Sequence, residues 1–94
     1  EVIYGVAIGV LHLDFLIFGA RSLKEKRRVV KSLTSQIRGK FNCSIAETEY
    51  LDLWQRAHIT VCVVSNEHKF TNTQLNEIVK FAEKNADAQM IDYR

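Results

Sequence analysis

With 94 residues, a hydrophobic fraction of 47% and a charged fraction of 26%, the chain has the composition of an ordinary globule. One domain over residues 1–94 is expected, able to bury a single core without disulfides or a structural metal. No apolar run reaches a membrane span and the start EVIYGVAIGVLHLDF lacks the basic start and cleavage site of a signal peptide, so a cytoplasmic chain is expected and a membrane-bound one is not. The formal net charge of +2 hides a polarised molecule. Residues 21–40 hold eight basic side chains against Glu25, a net of +7, while the other five basic and ten acidic residues give −5.

From Val2 to Ile17 the chain is rich in β-branched residues and apolar on both alternating sets, which predicts a central strand. Ala20 to Phe41 then reads as a helix. Ser22 with Glu25 three residues on is a capping box that opens it, and Gly39, flanked by Arg38 and Lys40, is expected to close it. A spacing of 100° per residue puts Leu23, Val29, Val30, Leu33 and Ile37 on one face and Lys24, Arg27, Arg28, Lys31, Ser35 and Arg38 on the other. Lys26 falls inside the apolar arc. Its stem snorkels out or its ammonium meets a carboxylate, either being a simpler expectation than catalysis.

Asn42 to Tyr50 alternates mildly, as an edge strand does, with Glu47 and Glu49 expected to share one solvated face. Leu51 to Arg56 connects it to a second central strand, Ala57 to Asn66. Thr71 with Gln74 reads as a capping box for a second helix, with Leu75, Ile78, Val79 and Ala82 as its apolar stripe and an end near Asn85. Asp87 to Arg94 suits a last edge strand. The order β-α-β-β-α-β, apolar strands central and mixed ones outside, predicts an α+β ferredoxin-like fold. Its antiparallel four-stranded sheet has the order 4-1-3-2 and carries both helices on one face. The other face is open yet apolar, so a partner protein, a second copy of the chain or a loop is expected to cover it, with a homodimer through this face as the first expectation.

GVLHLDFLIFGARSLKEKRRVVKSL, KFNCSIAE and DLWQRAHITVCVVSN together resemble the YlxP-like family, small bacterial proteins whose domain has no known function. The resemblance covers essentially the whole chain. It implies the ferredoxin-like fold and, in many bacteria, a gene set among those for transcription termination, translation initiation and ribosome-binding factor A. It hands over no catalytic residue and no cofactor.

The candidate binding residues are Arg21, Lys24, Arg27, Arg28, Lys31 and Arg38, together with Trp54 and Arg56 in the connector of residues 51–56. Phosphate contact from the helix would give RNA or a ribosomal subunit affinity and salt dependence without base reading; the bland alternative is a solvated face. Sequence-specific DNA binding is not expected, and the aromatic platform of single-strand RNA binders is absent from residues 57–66. Trp54 is expected to plug one end of the core in preference to serving as a partner hot spot, and Asp52 with Arg56 to brace the turn.

His12 and His58, on strands taken to run parallel, would sit at opposite ends, while His12, Asp14 and His68 could approach one end without metal-ligand spacing. Cys43 and Cys62 are expected to be buried reduced thiols. A remoter alternative is an acyl phosphate hydrolase-like enzyme in which residues 18–22, FGARS, hold an anion and Asn66 orients water.

Overall fold

The strand–helix alternation legible in the sequence becomes, in the computed structural model, seven elements; the described residues are Val2, Ile3 and 5–94. They are β1 (Val2–Ile3), β2 (Val6–Leu16), α1 (Leu23–Lys40), β3 (Ser44–Glu49), β4 (Arg56–Ser65), α2 (His68–Glu83) and β5 (Gln89–Tyr93). Every pairing is antiparallel, and β5-β2-β4-β3 is the expected 4-1-3-2 order of a ferredoxin-like sheet. β1 is an addition. The expected strand from Val2 to Ile17 breaks at Gly5, whose φ of 79° is glycine territory, and Ile3 pairs with Val6. Of that span Tyr4 lies outside the described residues, as does Glu1 before it.

The core lies between one sheet face and both helices. Ala7, Leu11, Leu13 and Phe15 of β2 and Ala57, Ile59, Val61 and Val63 of β4 are buried there, each set at the two-residue period of a strand. Gly9 belongs to the same set and lets α2 approach, because a Cβ there would stand 2.6 Å from Thr71 Cγ2 and 2.7 Å from Leu75 Cδ1. α1 adds Val30, Leu33 and Ile37, and α2 adds Ile78, Val79 and Ala82, as their spacing predicts. Burying Ile37 or Ile78 stabilises the fold by about 1.5–3 kcal/mol each, before entropy is set against it.

α1 starts where its capping box says. Ser22 Oγ accepts the Glu25 N–H at 3.1 Å, and Glu25 Oε2 accepts the Arg21 N–H at 3.2 Å, one residue before the cap. Its end differs: the helix passes through Gly39 to Lys40, and Phe41, in extended backbone, donates its N–H to Ile37 O at 2.8 Å. α2 also starts earlier than its Thr71–Gln74 pair predicts. His68 is its first residue, and Thr71 is buried with its hydroxyl 2.6 Å from Ser65 Oγ, which ties the helix to the end of β4.

β3 carries a register shift. Glu47 pairs with Ile59 but Glu49 with His58, so Thr48 is the extra residue and the two glutamates lose their expected common face. Cys43 and Cys62 are free, as expected, but half-buried instead of buried. No helix among the described residues is long and apolar enough to cross a membrane.

Candidate nucleic-acid interface

α1 packs over β3 by its apolar stripe, which leaves Arg21, Lys24, Arg27, Arg28, Lys31 and Arg38 exposed along the outside of the helix layer. Among the described residues none of these six cations makes an ion pair. Arg38 is tied by one bond, its Nη2 donating to Ile45 O at 3.3 Å. Lys40 turns away instead, with Nζ 4.6 Å from the centroid of the Phe81 ring. The result is a ridge of cations that form no ion pair among the described residues, with Glu25 and Asp87 sharing the cleft that Arg28 lines near its start.

Lys26 points the other way. Fully buried, it meets the Glu47 carboxylate and donates to Tyr50 O at 2.7 Å, the structural ion pair that its place in the apolar arc allowed. Tyr50 sits at φ 59°, a left-handed conformation costly for an aromatic residue, and the Lys26 bond holds its carbonyl there. The chain thereby turns into the loop that carries Trp54.

Trp54 does not plug the core. It is 51% exposed, in a loop whose residues 51–55 are all exposed, over a hollow that it lines with Leu16, Leu53 and Arg56. Nor do Asp52 and Arg56 brace the turn: the Arg56 guanidinium stacks 4.5 Å above the Tyr50 ring on the sheet face away from the helices. Arg56 is therefore separate from the α1 ridge. Gln55, which carried no message in the sequence, joins the two loops at this end, its side chain donating to Phe18 O and Ala20 O at 3.3 and 3.2 Å. Ile17 N–H returns a bond to Gln55 O at 2.9 Å.

The open sheet face holds a cluster that the expected parallel arrangement concealed. Antiparallel register places Asp14 opposite His58 and His12 opposite Thr60, so the two histidines are diagonal neighbours. Buried His58 donates from Nδ1 to Asp14 Oδ1 at 2.7 Å, and its Nε2 stands 3.1 Å from His12 Nδ1 and 3.4 Å from Glu49 Oε2. His12 Nδ1 is also 3.2 Å from Thr60 Oγ1, which is 2.7 Å from Thr48 Oγ1. A hydrogen-bonded patch thus occupies one end of a face expected to be apolar. The apolar part is the other end, where Val10 and Val64 are exposed.

His68 opens α2 at the Ser65 end of β4, away from Asp14, so the three residues do not converge. No group of three or more His, Cys, Asp or Glu among the described residues is placed to hold a metal ion. The hydrolase geometry fails as well. Leu16 pairs with Arg56 while Ala7 pairs with Ser65, so Asn66 lies at the end of the sheet opposite Phe18–Ser22, and the Ser22 hydroxyl is engaged by its own helix. Burial pushes the Cys43 thiol pKa up, partly opposed by the Arg38 guanidinium nearby.

Two comparisons bear on kinship. The model of a family described as "Protein of unknown function (DUF503)" matches residues 8–94. The "Uncharacterized protein YlxP" of Bacillus subtilis is 38% identical over 74 residues, which cover 79% of this chain and 80% of that protein. With the family model matching nearly the whole chain and the observed fold the one its resemblance implied, this chain belongs to the DUF503 family of YlxP-like proteins.

Proposed function

We propose that the chain is a non-catalytic RNA-binding module that contacts the phosphates of ribosomal RNA, free or in a ribosomal subunit, through the outer face of α1. The observation that carries this reading is the row of exposed cations, Arg21 just before α1 and Lys24, Arg27, Arg28 and Lys31 on it, while the opposite face of that helix is committed to the core. Charge is concentrated there beyond what solubility needs, and phosphate contacts of this kind give affinity without base reading. A helix also presents its cations from a backbone that is already ordered, so binding costs side-chain freedom but no main-chain ordering.

The test is a salt titration of binding to purified ribosomal RNA and subunits, with the parent and a Lys24→Glu, Arg28→Glu, Lys31→Glu triple variant compared. Each phosphate that the variant no longer neutralises should flatten the slope of log K against log salt by about 0.7–0.9. Steep salt dependence in the parent that collapses in the variant supports the reading; equal binding by both, or none by either, ends it. A second reading rests on Val10 and Val64, which make the far end of the open sheet a candidate self-association surface. A salt-insensitive dimer, unaffected by the triple variant, is its signature.

A further inference from the structure

We infer that the loop tip beside α1 is a stacking site for unpaired bases, so that the RNA taken by this protein is single-stranded where it passes the start of the helix. The inference rests on the proposed α1 interface and names the form of its ligand. Two loops build the tip. Phe18, in the β2–α1 connection, is 65% exposed, and Leu51, Leu53 and Trp54, in the β3–β4 connection, are each about half exposed. Four large apolar side chains in two adjoining loops would be a solubility liability if nothing covered them. The loops are not floppy ends: Gln55 bonds both Phe18 O and Ala20 O, and Lys26 anchors the Tyr50 carbonyl from inside the core.

The charge around the tip selects the occupant. Arg21 and Lys24 begin the cationic ridge directly after the Phe18 loop, and a cleft of about 520 Å³ beside that loop has Phe18 and Arg28 in its walls, together with Val29 and the acids Glu25 and Asp87. Phe18 stands at the start of that ridge. Trp54 lines a separate hollow with Leu16, Asp52, Leu53 and Arg56, and is joined to the Phe18 loop through Gln55. The tip thus carries aromatic rings with cations on both sides of it, the two parts that single-strand binders combine, stacking for the bases and charge for the backbone. A duplex offers its phosphates to α1 but keeps its bases stacked inside and has nothing to give Trp54.

Trp54 is the sole tryptophan, so its emission reports on the tip alone. The experiment titrates the intact chain with oligouridylate RNA of about twelve nucleotides and with duplex RNA of the same length, following emission and anisotropy together. Expected results are saturable quenching by the single strand, weakening of single-strand binding by roughly tenfold in Trp54→Ala, and retention of most of it in Trp54→Phe. Duplex binding should change less than about twofold in either variant, since no base reaches the tip.

Emission that stays constant while the single strand is bound overturns the stacking site and leaves binding by α1 standing. The same holds if Trp54→Ala binds the single strand as tightly as the parent, or loses duplex affinity equally, and the tip is then a protein-docking surface. A parent that binds neither oligonucleotide overturns the stacking site, and the salt titration against ribosomal RNA then decides the α1 reading by itself. Trp54 is exposed, so its replacement spares the core, and unchanged thermal unfolding of the variant confirms that the comparison is of like folds.

Discussion

Replacing Lys26 by Met puts the buried ion pair to a quantitative test. The thioether roughly keeps the volume of the stem but leaves the Glu47 carboxylate without its cation and Tyr50 O without its donor. Breaking a buried pair from one side costs about 3–5 kcal/mol. Glu47 keeps 15% exposure, so water recovers part of that, and about 3 kcal/mol is the expected loss. For 94 residues the unfolding entropy is about 200 cal/mol/K, which converts this loss into a fall of about 15 °C in Tm. Adding Glu47→Leu to Lys26→Met removes the stranded charge and should restore much of the stability, a coupling of about 2 kcal/mol or more in a double-mutant cycle followed by circular dichroism. A Tm within about 3 °C of the parent in Lys26→Met, or strict additivity in the cycle, would refute the reasoning.

Gly9→Ala should cost about 1–3 kcal/mol in chemical denaturation, since its methyl meets the stiff Thr71 side chain and Leu75 at well under van der Waals distance; an unchanged midpoint would mean that α2 moves away freely. Because burial holds the Cys43 thiol pKa above the usual range, less thiolate is present at a given mildly alkaline pH, and iodoacetamide should modify Cys43 more slowly in the native protein than in urea. Mass spectrometry after timed alkylation reads this directly, and equal rates in the two states would contradict it.

The element order, the central and edge strands and the core stripe of both helices were legible because strand and helix periods leave a direct mark on the spacing of residues such as Leu33, Ile37, Ile59 and Val61. Ser22 and Glu25 were legible for the same reason, as a local signal with a local effect. Lys26 showed by its position in the apolar arc, although its partner Glu47 is 21 positions away and no local rule finds it. Gly5 and Thr48 escaped because one glycine in a strand-like run and one extra residue in an edge strand differ little from their neighbours until pairing is known. The proximity of His12, Asp14 and His58 followed from strand direction: applied to the antiparallel sheet already expected, the pairing of Asp14 with His58 would have placed them together. Trp54 departs from its expectation because size argues for burial only where the core is within reach, and the connector of residues 51–55 that carries it is exposed throughout.

The hydrogen-bonded cluster on the open face has a further consequence for how the chain finds its fold. Facing the helices, β2 and β4 are mostly aliphatic, with Gly9, Phe15 and the small Ala7 and Ala57 as the exceptions, so sliding one strand past the other by two residues would still bring Val, Leu or Ile to several of the core positions. Apart from Gly9 and its neighbours under α2, few of these apolar positions can tell the native alignment from the next one. The match of Asp14 to His58 and of His12 to Thr60 can, because a displaced strand would leave a carboxylate and an imidazole without counterparts, at about 1–3 kcal/mol for each group stranded away from water. The four side chains act as a key cut into an otherwise nearly uniform blade, and two strands of near-interchangeable Val, Leu and Ile are admitted in one setting only.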